Sequence, residues 1–166
     1  MSIQIEKWGM FELELKAHKE GNPFVDVTLN AQFIHCSSES DNKENCITVE
    51  GFYDGDGIYK LRFMPNECGE WKYTTSSNLK DLDGISGAFT CVQNSADNHG
   101  MVRVHNQFHV AYADGKTFYP FGTTCYAWTH QPQEIQQQTL EALKESCYNK
   151  LRMCVFPKYY HNNSSE

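Results

Sequence analysis

Two stretches of the sequence carry side chains whose types and spacing suit ligand chemistry. Tyr126, Trp128 and His130 follow the small residues Gly122-Thr123-Thr124, which close an apolar run containing Phe118, Tyr119 and Phe121. Rings placed just beyond the carboxyl end of a parallel strand, as at the mouth of a (β/α)-type barrel, are positioned to stack on a ligand. Packing of this loop against a neighbouring domain is the other reading, and both stay open. Arg152 stands among Leu151, Met153 and Val155, and the period of two places it on the opposite strand face with Cys154 and Phe156. Inside a closed barrel that face points inward, where a guanidinium needs a carboxylate partner. A binding role and a structural ion pair account for it equally well.

Other constellations are weaker. Asp54-Gly55-Asp56-Gly57 has the start of a calcium loop, but Ile58 occupies the third ligand position and the closing acid is missing, so a tight turn is expected. The seven histidines show neither His-x-x-x-His nor His-x-His spacing, and His99, His105 and His109 read as solvated or core-satisfying. No metal site and no cofactor is expected. Trp8, Trp71 and nearby tyrosines form either a sugar-stacking face or core, and alternation within strands favours core.

The positioning elements follow from the pattern. Ile3, Ile5 and Trp8, then Phe11, Leu13, Leu15 and Ala17, alternate with polar residues and predict two strands. After the turn cluster Glu20-Gly21-Asn22-Pro23, the series Val25, Val27, Leu29, Ala31 and Phe33 predicts a third. Ile47 and Val49 lead into a hairpin around a glycine-rich tip, which leaves through Tyr59, Leu61 and Phe63. Trp71 and Tyr73 share one face of a further strand, and residues 87–92 supply another. With no helical period before residue 130, these strands predict an immunoglobulin-like antiparallel β-sandwich over residues 1–100. No Cys-Trp-Cys pattern marks an antibody-type core.

Residues 101–166 change character. Val102 and Val104 form a strand, and Phe108, Val110 and Tyr112 run to a turn at Asp114-Gly115 that returns through Phe118 as a hairpin. Pro132 and Glu134 mark a helix start, Ile135, Leu140, Leu143 and Cys147 give its apolar stripe, and its end falls near Asn149. Leu151 to Phe156 is then a buried strand stopped by Pro157, so residues 118–156 read as a right-handed β-α-β unit.

Composition sets bounds. The 166 residues are 40% hydrophobic and 21% charged, enough apolar material for a core, with a formal charge of -7 that argues against a nucleic-acid partner. No span approaches the ~20 apolar residues of a membrane helix, and the amino terminus alternates unlike a secretory leader. Seven cysteines without a Cys-x-x-Cys pair indicate reduced thiols and a cytoplasmic setting, where the sequon at Asn162 carries no glycan.

Several segments, taken in order, resemble a known group. Gly21-Asn22-Pro23-Phe24, Gly51-Phe52-Tyr53-Asp54-Gly55, Arg62-Phe63-Met64-Pro65, Gly69-Glu70-Trp71, Asp114-Gly115 and Gly122-Thr123-Thr124-Cys125-Tyr126-Ala127-Trp128 are similar to segments of bacterial glycoside hydrolases. In that group an uncharacterised amino-terminal β-sandwich precedes a TIM-barrel catalytic domain related to family 5 and apiosidase-like enzymes. Asn149-Lys150-Leu151-Arg152 matches the Asn-x-x-Arg pattern of the group's second barrel strand. The resemblance implies hydrolysis of glycosidic bonds in an oligo- or polysaccharide, a carbohydrate partner, and Tyr126, Trp128, Arg152, Lys158 and Tyr159 at or near the pocket mouth. It also implies that Arg152 supports a nucleophilic glutamate.

A barrel of this kind needs about 250 residues, with acid and nucleophile on its fourth and seventh strands. The expectation is therefore a mainly β chain that ends in the first β-α-β unit of an incomplete TIM barrel. Such a chain has no pair of carboxyls about 5–5.5 Å apart and is inactive until joined to the missing carboxyl-terminal barrel. The competing expectation is a non-catalytic β-sandwich module that binds carbohydrate or another protein.

Overall fold

The computed structural model describes residues 3–18, 21–36 and 46–155. Among them the chain is mainly β, in several sheets, and it divides into two compact units, Met1–Lys116 and Thr117–Glu166.

In the first unit, β1 (Gln4–Glu6), β3 (Leu29–His35), β4 (Cys46–Glu50), β7 (Gly69–Ser77) and β8 (Ser86–Val92) form one sheet in the order β1-β8-β7-β3-β4. A second sheet takes β2 (Phe11–Lys16), β6 (Ile58–Phe63) and β5 (Phe52–Gly55) in the order β2-β6-β5. The inward positions of both sheets are aromatic, and the rings interlock between them. Phe33 of β3 stacks on Phe63 of β6 at 4.1 Å, and Phe11 of β2 stacks on Phe89 of β8 at 4.4 Å. Trp71 and Leu61 close the same core, both essentially inaccessible. Offset and edge-on ring pairs of this kind each contribute about 0.5–1.5 kcal/mol beyond the area they bury.

The pairing explains the register read from alternation. Phe11, Leu13 and Leu15 oppose Phe63, Leu61 and Tyr59, so the apolar faces of β2 and β6 coincide. The β5–β6 hairpin turns through Gly55, Asp56 and Gly57, all with positive φ, which glycine adopts without the clash a Cβ brings. One pairing departs from the antiparallel expectation: β1 runs parallel to β8, Ile5 opposite Cys91.

Residues 23–26 also depart from the expected third strand. They form a helical turn, α1 (Pro23–Asp26), and β3 begins only at Leu29. Proline at the first helical position and the Asn22 side chain, which accepts from the Phe24 amide at 3.1 Å, outweigh the strand-like spacing of Val25 and Val27.

The hairpin expected around Asp114-Gly115 is displaced as well. The paired strands are β9 (Val102–His105) and β10 (His109–Tyr112), joined through Asn106, Gln107 and Phe108, the first two left-handed. The two consecutive positive-φ residues open a three-residue loop, in which the Phe108 amide donates to Asn106 O at 2.7 Å. The Asp114-Gly115 turn follows, its Gly115 amide donating to Tyr112 O at 2.9 Å.

The second unit has β11 (Gly122–Thr124) and β12 (Lys150–Arg152) as a parallel pair, with α2 (Gln133–Lys144) between them in sequence. Each element is shorter than expected. Pro120 lacks an N–H and restrains Tyr119, so pairing starts only at Gly122. The helix stops at Lys144, before Cys147, where the Ser146 hydroxyl donates to Leu143 O at 2.7 Å and takes the last turn out of the ladder. The strand expected through Phe156 closes at Arg152, and it is not buried: Leu151 is half-buried, Met153 and Val155 are exposed, and Phe156 and Pro157 lie outside the described residues. Among the described residues of this unit, no side chain is fully buried.

Candidate functional site

The parallel pair brings two of the expected site residues together. Thr124 is opposite Arg152 in register, and the ladder continues past both strand ends: Cys125 N donates to Arg152 O at 2.9 Å and Cys154 N donates to Tyr126 O at 3.0 Å. These bonds hold the backbone of Tyr126 beside that of Arg152, and the guanidinium carbon sits 5.2 Å from the Tyr126 ring centroid. A cation over a ring at this distance is attracted by the ring quadrupole. Both side chains are exposed, so the guanidinium keeps its hydration and needs no buried counter-ion. Among the described residues no carboxylate lies within ion-pair reach of Arg152.

Trp128 is placed differently. It opens a short 3-10 turn, Trp128–His130, and its indole N–H donates to Gln136 O of α2 at 3.0 Å, which ties the loop to the helix. His130 is exposed, with Nε2 3.4 Å from Thr129 Oγ1. Lys158 and Tyr159 lie outside the described residues.

Two positioning residues were not singled out as such in the sequence. Asn149 clamps the segment entering β11: its Oδ1 accepts from Phe121 N at 2.8 Å, its Nδ2 donates to Tyr119 O at 2.8 Å, and its own amide donates to Phe121 O at 2.8 Å. An asparagine immediately before a strand is the available signal, since its amide satisfies a donor and an acceptor together. Gly122 is needed because any Cβ there would run into the carbonyl oxygen of Lys150. The acids of this unit within the described residues, Glu134, Glu141 and Glu145, all lie on α2 or its carboxyl cap, none on the strands. The arrangement offers a cation, two rings and backbone carbonyls, which can bind a polar ligand with a flat apolar face.

The remaining candidates resolve into structure. Trp71 is core, and its indole N–H donates to Glu67 O at 2.9 Å. Asp54 binds Lys60 Nζ at 2.6 Å on the outer face of β5–β6, and that contact raises the lysine pKa. His105 and His109 face each other across the β9–β10 ladder, both exposed. His99 Nδ1 lies 2.7 Å from Asp114 Oδ2, and its Nε2 lies 2.8 Å from Lys116 Nζ. Among the described residues no three His, Cys, Asp or Glu side chains converge as metal ligands. No described helix is long and apolar enough to cross a membrane.

Residues 4–78 match a family described as a domain of unknown function, DUF5060. The chain is similar to the crystal structure of a "putative glycoside hydrolase" from Bacteroides vulgatus ATCC 8482, at 46% identity and a TM-score of 0.83. The likeness covers 96% of this chain and 30% of the other, so the chain spans under a third of that protein. No curated protein matches.

Proposed function

We propose that the chain is the amino-terminal part of a glycoside hydrolase: an immunoglobulin-like sandwich over residues 1–100, followed by the first β-α-β unit of a (β/α)8 barrel over residues 101–166. One observation carries this reading. The parallel pair β11–β12 presents Arg152 and Tyr126 together at its carboxyl ends, the edge at which barrels of this architecture bind substrate. Likeness to 30% of a longer chain described as a hydrolase supports it. So does the apolar surface of the second unit, where Ile135 of α2 and Met153 and Val155, just after β12, stay exposed at positions a barrel would cover.

In this reading Tyr126 and Trp128 meet the sugar, Arg152 orients the nucleophilic glutamate of a later strand, and Lys158 and Tyr159 flank the mouth. The remaining β-α units, belonging to the same cytoplasmic protein, supply both catalytic carboxyls. The chain by itself binds but does not hydrolyse.

The test is to assay the 166-residue chain beside the product of the whole reading frame for release of reducing sugar from a polysaccharide panel. Activity in the whole product alone, abolished by changing glutamates at the ends of two later strands, is expected. Turnover by the 166-residue chain, or a whole product without such glutamates, overturns the assignment.

A further inference from the structure

In the first unit a carboxylate, an imidazole and an amine meet end to end. His99 Nδ1 lies 2.7 Å from Asp114 Oδ2, and His99 Nε2 lies 2.8 Å from Lys116 Nζ. A lysine side chain has protons to give and an ionised carboxylate has none, so one tautomer satisfies both contacts. Nδ1–H donates to Asp114, and Nε2 accepts from Lys116. The order carboxylate, imidazole, nucleophile is that of a serine hydrolase, with nitrogen in the place of the hydroxyl oxygen.

The main chain holds this relay in place. Asp114 Oδ1 accepts from the Lys116 amide at 2.9 Å, so one carboxylate fixes the backbone of the lysine and the ring of the histidine together. The Tyr112 amide donates to Lys116 O at 2.9 Å, and the Asp114 amide donates to His99 O at 3.3 Å. The Tyr112 ring lies against the imidazole, with centroids 5.2 Å apart. The His99 side chain is 21% exposed, while Lys116 is open to solvent. A small molecule in solution can reach the amine.

An ammonium group has no lone pair and does not attack. At Lys60 the Asp54 carboxylate, 2.6 Å from Nζ, raises the lysine pKa and keeps the proton in place. Lys116 meets a proton acceptor instead. When a free amine adds to an acyl carbon, its nitrogen becomes positively charged and must lose a proton before a stable amide is left. Nε2 stands where it can take that proton, and Asp114 steadies the imidazolium that results.

We propose that Lys116 is an acylation site, taking an activated acyl group from an acyl phosphate or a thioester, with His99 as general base and Asp114 as a positioning residue. The bond from Nζ to the acyl carbon forms, and the carbon–oxygen or carbon–sulfur bond breaks with its electron pair on the leaving group. The amine proton passes to His99 Nε2 and then to water. The site lies wholly in the first unit and goes beyond the hydrolase reading, which concerns the other.

The test exposes the full chain at pH 8 to limiting acetyl phosphate and, in a second arm, to acetyl-coenzyme A, and maps acetyl-lysine by mass spectrometry over time. Lys116 should be acetylated about tenfold faster than the exposed Lys72 and Lys144 in at least one arm, and that arm identifies the donor. His99→Gln stays polar but takes no proton, so it should bring Lys116 down to the rate of the other two while their rates hold. Asp114→Asn still accepts from the Lys116 amide and should slow Lys116 several-fold. Continued slow labelling of Lys60 shows that each variant is folded, and if His99→Gln does not fold, Asp114→Asn makes the same comparison. Labelling of Lys116 no faster than Lys72 and Lys144 in both arms, or a preference that survives both substitutions, overturns the proposal.

Discussion

The Arg152 guanidinium and the Tyr126 ring lie 5.2 Å apart on adjacent parallel chain segments, both open to solvent. An exposed cation–π pair stabilises by about 0.5–1 kcal/mol. Arg152→Met should therefore shift the urea midpoint of the chain almost imperceptibly. On the proposed hydrolase reading the same change, made in the longer protein, would remove a charge that orients the nucleophile, and kcat/KM should fall about a hundredfold or more, comparable to losing one positioned donor. A large stability loss with unchanged catalysis would mean that the pair is structural.

The first unit depends on its ring layer. Phe33 is fully buried, stacked on Phe63 and edge-on to Phe11. Phe33→Ala should cost about 3–5 kcal/mol, while Ile135→Ala, at a position 42% exposed on α2, should cost under ~1 kcal/mol. Chemical denaturation of both variants, followed by tryptophan fluorescence, with Trp71 in the first unit and Trp128 in the second, checks the contrast. Hydrogen exchange should show the same division, with faster exchange in 130–155 than in β3 and β7.

Thr75 is the buried polar residue of β7. Its hydroxyl donates to Leu82 O at 2.6 Å and accepts from Ile85 N at 2.9 Å, which folds the 78–85 loop onto the sheet. Thr75→Val keeps the shape and strips both bonds, leaving a buried carbonyl and an amide unpaired, at a cost of about 1–3 kcal/mol. Proteolysis should then begin within 78–85.

Three carboxylates are held below their ordinary pKa. The Ser95 amide does this for Glu6, Arg62 for Glu12, and the Lys116 amide for Asp114. Depressed folded values mean that the unfolded chain binds protons first as pH falls, so this stabilisation is intact at neutral pH. It is lost as pH drops from about 4 through the depressed values. The urea midpoint should fall between pH 5 and pH 2, and Glu6→Gln should flatten part of that fall.

Burial raises the Cys91 thiol pKa to about 11, with Cys68 adding to the effect. At pH 8 iodoacetamide should label Cys36, Cys46, Cys68 and Cys147, which are exposed, and spare Cys91 until the protein is unfolded. Mass mapping of native and denatured samples reads this directly.

Where alternation met a hydrogen-bonded partner of the same period, as in β2, β6 and β7, the sequence pattern located both the strand and its buried face. Val25 and Val27 misled because a capping asparagine and a proline act locally and override spacing. The short β11 followed from Pro120, a signal present but outweighed by the aromatic run around it. At the site, the neighbourhood of Tyr126 and Arg152 was legible because both sit at ends of paired strands. Asn149 stands just before a strand, but its role as a clamp was not legible, since the segment it holds, Tyr119 to Phe121, lies 28 to 30 positions earlier.

The parallel contact of β1 with β8 bears on how the chain is made. At roughly 5–20 residues per second, a ribosome needs about 4 to 17 seconds to travel from Gln4 to its partner Thr90. For that interval β1 has no native mate, and its edge is open to a chaperone or to a neighbouring nascent chain.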